Sequence, residues 1–357
     1  MKFRSIPNKS IKDVMLTSKL LDAKTTDLCK DMEKLVMHSV TKNTWSRHCS
    51  AWKLFDEFCK IYSLSNVLPI KIECIRSFAT WAVSRKGLKE STVKAYISTL
   101  NIAHALSNNS SCNLNSDQCV KMVLKGAKNL EGLSGKKSIV RMPMNIHLLN
   151  VLGHRISETS WSEFSKQAFW TACLTSFFTS CRMGEILPTH EKGFDPDTTV
   201  LWQNVQFLES GDILIFVPYS KTSGFEGKML DLFAISGSKT SPTAALIKLK
   251  KLAEKTDGFS LSNPVFMLKS GKNLTKDIFN KKLAELLKDF CDENHKFTGH
   301  SFRAAIPTLI GSHPDENSVS DIKDWGNWNS DSYKVYVKNV HENRKKLFSK
   351  ILNCMNM

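Results

Sequence analysis

The chain has 357 residues and a formal net charge of +16, with 50 lysines and arginines against 34 aspartates and glutamates. This length exceeds what one ordinary hydrophobic core covers and predicts two domains. The hydrophobic fraction of 41% and the charged fraction of 24% are those of a soluble globular protein. The excess of positive charge indicates a polyanionic partner, most simply nucleic acid.

The ten cysteines occur singly, with no Cys-x-x-Cys pair. Because zinc ligands usually come in closely spaced pairs, this pattern argues against a zinc cage. Residues 1–7 are polar and basic and do not resemble a secretory signal, so a disulfide framework is not expected. We predict reduced, mostly buried cysteines in an intracellular protein. The most apolar stretch, residues 168–187, contains polar and charged side chains and predicts a buried helix rather than a membrane span.

The first 131 residues are predicted to form a helical domain. Apolar residues recur at three- and four-residue steps over 45–59, 74–83 and 92–103, and a further helix is predicted over 117–130 after a polar loop. Basic residues on the other faces favour a surface that contacts DNA phosphates. They are Lys42, Arg47, Lys53, Arg85, Lys86, Lys89 and Lys94. Residues 132–144 are basic, rich in glycine and serine and without periodicity, which predicts a linker; its Arg141 joins the predicted DNA contacts.

The second domain is predicted over residues 145–357. Three stretches rich in β-branched and aromatic residues, 200–207, 213–219 and 228–233, predict a short antiparallel sheet. Helices are predicted from residues 146 and 161, over 242–252 and 276–291, and from 302 onwards. The predicted fold class is therefore mainly α, with a small antiparallel β-sheet in the C-terminal domain.

Several residues whose side chains could take part in catalysis follow one another through this second domain. Arg182 and Glu185 end an apolar helix, and Lys221 follows a predicted strand. His300 and Arg303 occur in Gly-His-Ser-Phe-Arg, and a later segment contains Trp328 and Tyr336. Each of these short motifs alone is common for structural reasons, but their occurrence in this order within one domain indicates a catalytic site.

This ordered set resembles the tyrosine recombinase (phage integrase) family. The resemblance covers nearly the whole chain and implies a core-binding (SAM-like) helical DNA-binding domain followed by a catalytic integrase domain, as in Cre-like members. Gly299-His300-Ser301-x-Arg303 and the Tyr336-Val337-Lys338-Asn339 segment carry it most clearly. The compact Gly-x-Trp-x-Ser segment around Trp328 is similar to eukaryotic Crypton- and DIRS-type mobile-element recombinases.

The resemblance also implies a role for each of these residues in the reaction. Tyr336 attacks the scissile phosphate and forms a 3′-phosphotyrosyl link. Arg182, Arg303 and Trp328 bind the phosphate, Lys221 protonates the leaving 5′-oxygen, and His300 acts as general base or hydrogen-bond donor. Glu185 orients Arg182 or His300. Neither a metal nor a cofactor is expected, and the partner is double-stranded DNA bound by a homotetramer that joins two sites.

Several alternatives remain open. Trp325 and Tyr333 have the same eight-residue spacing as Trp328 and Tyr336, and Lys228 lies close enough to Lys221 to replace it as the acid. A recombinase-derived DNA-binding protein that no longer cuts, or a type IB topoisomerase-like strand transferase, would contain much of the same pattern. The expected location is intracellular, and nuclear in a eukaryotic host.

Overall fold

The structure is a computed structural model of the 357-residue chain. It describes residues 42–64, 69–108, 113–134, 139–234, 237–238, 240–312 and 318–326, with scattered positions between 28 and 40. The chain divides into two compact units, Met1–Lys137 and Ser138–Met357. The predicted linker, residues 132–144, includes this boundary. In the described part of the chain, no helix combines the length and the apolar character needed to cross a membrane.

The first unit is helical where its apolar periodicity predicts. Its helices from Lys42 onwards are α1 (Lys42–Ile61), α2 (Ile72–Ser84), α3 (Glu90–Asn108) and α4 (Gln118–Leu133), with a 3-10 turn at Leu114–Ser116. Aromatic residues fill the space between α1 and α2, with Phe55, Phe58 and Phe78 almost fully buried. Asp117 caps α4 by accepting a hydrogen bond from the Val120 N–H at 2.9 Å, and it also pairs with Arg76 of α2.

The second unit is larger and mixes helices with short strands. Its helices are α5 (Ile146–Glu158), α6 (Glu163–Thr179), α7 (Met183–Ile186), α8 (Pro242–Glu254), α9 (Lys276–Leu286), α10 (Gly299–Arg303), α11 (Ala305–Ser312) and α12 (Ser318–Gly326). Its strands are β1 (Val140–Arg141), β2 (Val205–Phe207), β3 (Ile213–Val217), β4 (Lys228–Leu232) and β5 (His295–Lys296). The predicted fold class, mainly α with a small antiparallel sheet, is confirmed.

The three middle strands form the predicted antiparallel sheet in the order β2-β3-β4, with Val205 opposite Ile215 and Val217 opposite Lys228. Strand β2, predicted over residues 200–207, is shorter than predicted, because residues 202–204 form a 3-10 turn. This turn is closed by a hydrogen bond from the Asn204 N–H to the Leu201 carbonyl at 2.9 Å. Elsewhere, β1 pairs in parallel with β5, so residues of the predicted linker belong to the second unit.

Helix α6 lies at the centre of the second unit. The prediction of one buried helix over the apolar run 168–187 is confirmed for its first part, where residues such as Phe169, Ala172 and Leu174 are fully enclosed, but the run does not form a single helix. Helix α6 ends at Thr179 because Ser180 adopts a left-handed backbone conformation with φ of 50°. A second predicted helix, 276–291, stops at Leu286 and continues as a 3-10 turn.

The described cysteines form no disulfide, but the prediction that most cysteines are buried is wrong for them. Cys59, Cys173 and Cys181 are buried. Cys119 is exposed, and Cys49, Cys74 and Cys291 are half-buried.

Candidate functional site

The site begins where α6 ends and α7 starts. The left-handed Ser180 turns the chain, and Arg182 then occupies the position before the first residue of α7. Glu185, three residues later, folds back onto Arg182. One carboxylate oxygen accepts the Arg182 backbone N–H at 3.0 Å, and the other accepts Nη1 of the guanidinium at 2.8 Å. This double contact fixes both the backbone and the side chain of Arg182, which stays 29% exposed.

Glu185 has a second basic partner on the sheet. The Nζ atom of Lys228, the first residue of β4, donates to Oε2 of Glu185 at 2.6 Å. The Glu185 side chain is only 6% exposed and that of Lys228 14% exposed. Burial opposes ionisation of Glu185, but Lys228 and Arg182 outweigh it and hold the pKa of the carboxyl below its ordinary value. The site therefore contains a buried carboxylate between two cations.

Helix α10 brings the second arginine to the same place. Its N-terminus is capped by Thr298, whose hydroxyl accepts the His300 N–H at 3.2 Å. Arg303 is 2% exposed, and its Nη1 donates to the Ser180 carbonyl at 2.6 Å. A buried guanidinium is therefore anchored on the backbone two residues before Arg182. The two arginines converge on one turn of the chain, although 120 positions separate them in the sequence.

The close approach of the two short helices depends on Gly299. A Cβ atom placed on this residue would lie 2.7 Å from the Met183 Cβ, nearer than real side-chain atoms come. The Gly299 N–H also donates to Asn280 Oδ1 on α9 at 2.9 Å. Only glycine at this position lets α10 pack directly against α7.

His300 lies in the electric field of this basic cluster. Its pKa is lowered to about 4, first by burial and then by the positive charges of Arg141, Arg303, Arg182 and Lys276. The imidazole is therefore neutral at physiological pH. Arg141 was predicted as a DNA contact in the linker, whereas Lys276 was not predicted as a site residue.

The two candidate lysines occupy different positions on the hairpin. Lys221 is exposed in the turn between β3 and β4, which the Ser220 hydroxyl organises by accepting the Ser223 N–H at 3.0 Å. Lys228 is half-buried and paired with Glu185. The sequence favoured Lys221 as the acid and kept Lys228 as the alternative. In the structure Lys221 is an exposed turn residue, whereas Lys228 is a strand residue held by an ion pair.

Trp328, Tyr336 and the alternative Tyr333 lie outside the described residues. Trp325 is described: its indole Nε1 donates to the Phe178 carbonyl in α6 at 2.8 Å. Helix α12 therefore returns the chain to the end of α6, beside the turn that contains Ser180 and Arg182.

In the first unit, the described basic residues predicted to contact DNA are at the surface. They are Arg47, Lys53, Arg85, Lys86, Lys89 and Lys94, and the side chain of Lys42 lies outside the described residues. Lys86 forms an ion pair with Glu57 at 2.5 Å. That this surface contacts DNA stays a prediction. Among the residues that the structure describes, no His, Cys, Asp or Glu side chains gather in a group of three suited to a metal ion.

No protein-family model and no curated protein sequence matches the chain. Solved structures do. The post-cleavage complex of the XerH site-specific recombinase with palindromic difH substrate is 13% identical and has a TM-score of 0.60, covering 96% of this chain and 89% of its own. A lambda integrase dimer bound to a COC′ core site is 12% identical with a TM-score of 0.52, over 93% of this chain and 85% of its own.

The Tn1549 transposon integrase in complex with circular intermediate DNA is 14% identical, with a TM-score of 0.51, and the match covers 89% of this chain and 97% of that chain. Identities this low establish similarity of fold. The chain therefore has the two-domain fold of the tyrosine recombinases.

Proposed function

We propose that this chain is a site-specific DNA recombinase that cleaves and rejoins DNA through a 3′-phosphotyrosyl intermediate, without a metal or ATP. The observation that carries the proposal is the convergence of Arg182, Arg303 and His300 on the turn after α6. Two fixed guanidinium groups suit the non-bridging oxygens of a phosphodiester, because each presents a planar set of donors and stays charged. The same arrangement stabilises the charge that develops in a five-coordinate transition state.

In the proposed reaction the phenol oxygen of Tyr336 attacks the scissile phosphorus, and its proton passes to the neutral imidazole of His300. The bond to the 5′-oxygen breaks, and Lys221 in the exposed hairpin turn protonates that oxygen. Trp328 donates its indole N–H to the phosphate. Rejoining reverses these steps: a 5′-hydroxyl attacks the phosphotyrosine and Tyr336 is released. The phosphodiester energy is conserved in the covalent link, so no nucleotide hydrolysis is needed.

The described part of the chain ends near the proposed site, ten residues before the proposed nucleophile. Trp325 contacts α6 at Phe178, and the described residues end at Gly326 beside that contact. Tyr336 is ten residues further along, and a segment of that length spans at most about 35 Å when fully extended. Since the indole N–H of Trp325 is bound to a backbone carbonyl, Trp328 is the better candidate for the phosphate contact.

The partner in this proposal is double-stranded DNA, held by the basic surface of the first unit and by the site in the second. The working form is a homotetramer on two DNA sites. We further propose that the chain serves the integration or transposition of a Crypton- or DIRS-type element, which places it inside the cell and in the nucleus of a eukaryotic host. Terminal repeats in the DNA that flanks the gene would support this origin.

The experiment that tests the proposal uses a pool of nicked DNA duplexes of randomised sequence. A nick beside the cleavage point lets a short fragment diffuse away, so that the covalent complex accumulates. The wild-type chain is expected to form a protein–DNA adduct that survives denaturation and forms in the presence of a metal chelator. Tyr336→Phe is expected to abolish the adduct and keep salt-sensitive binding, whereas Tyr333→Phe keeps both.

The outcomes separate the competing functions. Binding without an adduct from the wild-type chain would support the DNA-binding protein that no longer cuts. An adduct formed by a monomer on a single duplex, without exchange between two sites, would support the topoisomerase-like activity.

A further inference from the structure

Lys228 is a half-buried charged residue of the site to which the proposed reaction assigns no role. It is the first residue of β4 and reaches across to α7, where its Nζ lies 2.6 Å from Glu185 Oε2. That same oxygen accepts the Arg182 backbone N–H, and the other oxygen accepts the Arg182 guanidinium. Lys228 thus contacts Arg182 only through the carboxylate that holds it.

The turn before β4 fixes this lysine in place. Gly227 has a left-handed φ of 68°, and a Cβ on it would lie 2.6 Å from the Val217 carbonyl oxygen. Lys228 follows directly and pairs in register with Val217 of β3. The backbone is therefore tightly defined at the residue from which the long side chain extends toward Glu185.

The charges explain why a second cation is useful. Arg182 and Glu185 alone form a pair with no net charge, so Arg182 adds little to the attraction that Arg303 exerts on a phosphodiester anion. With Lys228 the three groups carry a net charge of +1, on side chains that are 6–29% exposed and hence weakly screened. Lys228 offsets Glu185, so that the field of Arg182 remains available to a bound phosphate.

We propose that Lys228 is a positioning residue that sets the strength of phosphate binding by Arg182 through Glu185, and that it is not the general acid. The inference rests on the proposed function, because it concerns the phosphate site of that same reaction. It also links the hairpin that carries Lys221 to the helix that carries Arg182. A change in the conformation of the hairpin would therefore alter phosphate binding by Arg182 through this ion pair.

The test measures binding of inorganic phosphate to the full chain by isothermal titration calorimetry, in the absence of DNA. Lys228→Met is expected to weaken phosphate binding by about tenfold, because the Arg182–Glu185 pair is then neutral. Lys228→Arg restores the charge and most of the affinity. Lys251→Met, which removes the same charge from an exposed position on α8, leaves the affinity within about twofold.

A second pair of variants keeps the inference testable if Lys228→Met folds poorly. Lys228→Gln retains a donor for Glu185 without the charge and is expected to lose affinity as Lys228→Met does. Adding Glu185→Gln to it removes the carboxylate charge, so phosphate affinity recovers in part. A purely structural role for Lys228 predicts no such recovery. Unchanged phosphate affinity in both Lys228→Met and Lys228→Gln overturns the inference.

The cleavage assay separates this inference from the proposed function. On DNA selected by the wild-type chain, Lys228→Met is expected to form the adduct more slowly. Replacing the scissile phosphate by an uncharged methylphosphonate should shrink the difference between Lys228→Met and wild type, since no anion is then bound. A general acid would be needed equally on both substrates, and an undiminished defect would contradict a role through charge.

If the wild-type chain binds phosphate but never forms an adduct, the proposed function fails and the role of Lys228 in anion binding stands.

Discussion

The two units of the chain hold their positive charge in different ways. In the described part of the first unit, no Asp, Glu, Lys or Arg is buried, and ion pairs such as Lys60–Asp56 and Lys86–Glu57 lie at the surface. In the second unit, Glu185 and Arg303 are buried and fixed by short hydrogen bonds. Distributed surface charge attracts a polyanion through a sum of weak contacts, whereas fixed charge binds one group at one place. Single substitutions should therefore matter little in the first unit and much in the second.

The largest expected effect comes from removing the buried carboxylate. Glu185→Ala leaves Arg182 and Lys228 without their counter-charge and is expected to cost about 3 kcal/mol of unfolding free energy. The matched change in the first unit, Glu57→Ala, breaks only the partly exposed pair with Lys86 and is expected to cost less than about 1 kcal/mol. Urea unfolding measures the unfolding free energy of both variants. Equal losses would contradict the claim that charges are fixed in the second unit and only loosely paired in the first.

The next effect concerns packing at the site. Gly299→Ala places a methyl group 2.7 Å from the Met183 Cβ and is expected to destabilise the fold by about 1–3 kcal/mol. It should also weaken phosphate binding, because α10 carries both His300 and Arg303. Gly184→Ala is the control, since the nearest atom to its added carbon is the flexible Lys276 Cδ at 3.9 Å. Calorimetric melting that shows no difference between these two variants would contradict the close packing of α10 on α7.

A smaller effect is expected from the titration of His300. Its folded-state pKa of about 4 lies below the ordinary value of 6.5. Between these two pH values the unfolded chain binds a proton that the folded chain does not, so stability rises with pH through this window and levels off above it. His300→Gln should flatten that rise.

NMR titration of the imidazole should show a low pKa in the free protein and a higher one with inorganic phosphate, because the anion offsets the surrounding cations. An unperturbed titration near 6.5 in the free protein would exclude the basic cluster around His300.

The smallest effect is expected for a single lysine of the first unit. Lys53 is exposed on α1, and Lys53→Ala should change the unfolding free energy by less than about 0.5 kcal/mol. If Lys53 contacts a phosphate, the logarithmic dependence of DNA affinity on salt becomes less steep by about 0.9. Filter binding over a series of salt concentrations measures this slope. A flat salt response of the wild-type chain would remove the proposed DNA surface altogether.

The same contrast explains what the sequence could predict. The helices of the first unit follow from apolar residues at three- and four-residue steps, because each helix buries one face. The Arg182–Glu185 contact is also local, being three residues apart. The contact of Lys228 with Glu185 joins residues 43 positions apart, and that of Arg303 with Ser180 joins residues 123 positions apart. Such contacts depend on how the elements pack, so no periodicity reveals them.

Two further features could not have been read from the sequence. The left-handed conformation of Ser180 was not predicted, because serine rarely adopts it and glycine is the usual residue there. The sequence favoured Lys221 over Lys228, but the exact position of the hairpin turn between them follows from the register of β3 and β4 and was not predicted.

The central claim is that Tyr336 becomes linked to DNA at a phosphate held by Arg182, Arg303 and His300. The most direct measurement is mass spectrometry of the peptides released by proteolysis of the denatured protein–DNA complex. The account predicts a nucleotide covalently attached to Tyr336. A nucleotide on Tyr333 or on a serine, or recovery of an unmodified Tyr336 peptide from a stable adduct, would contradict it.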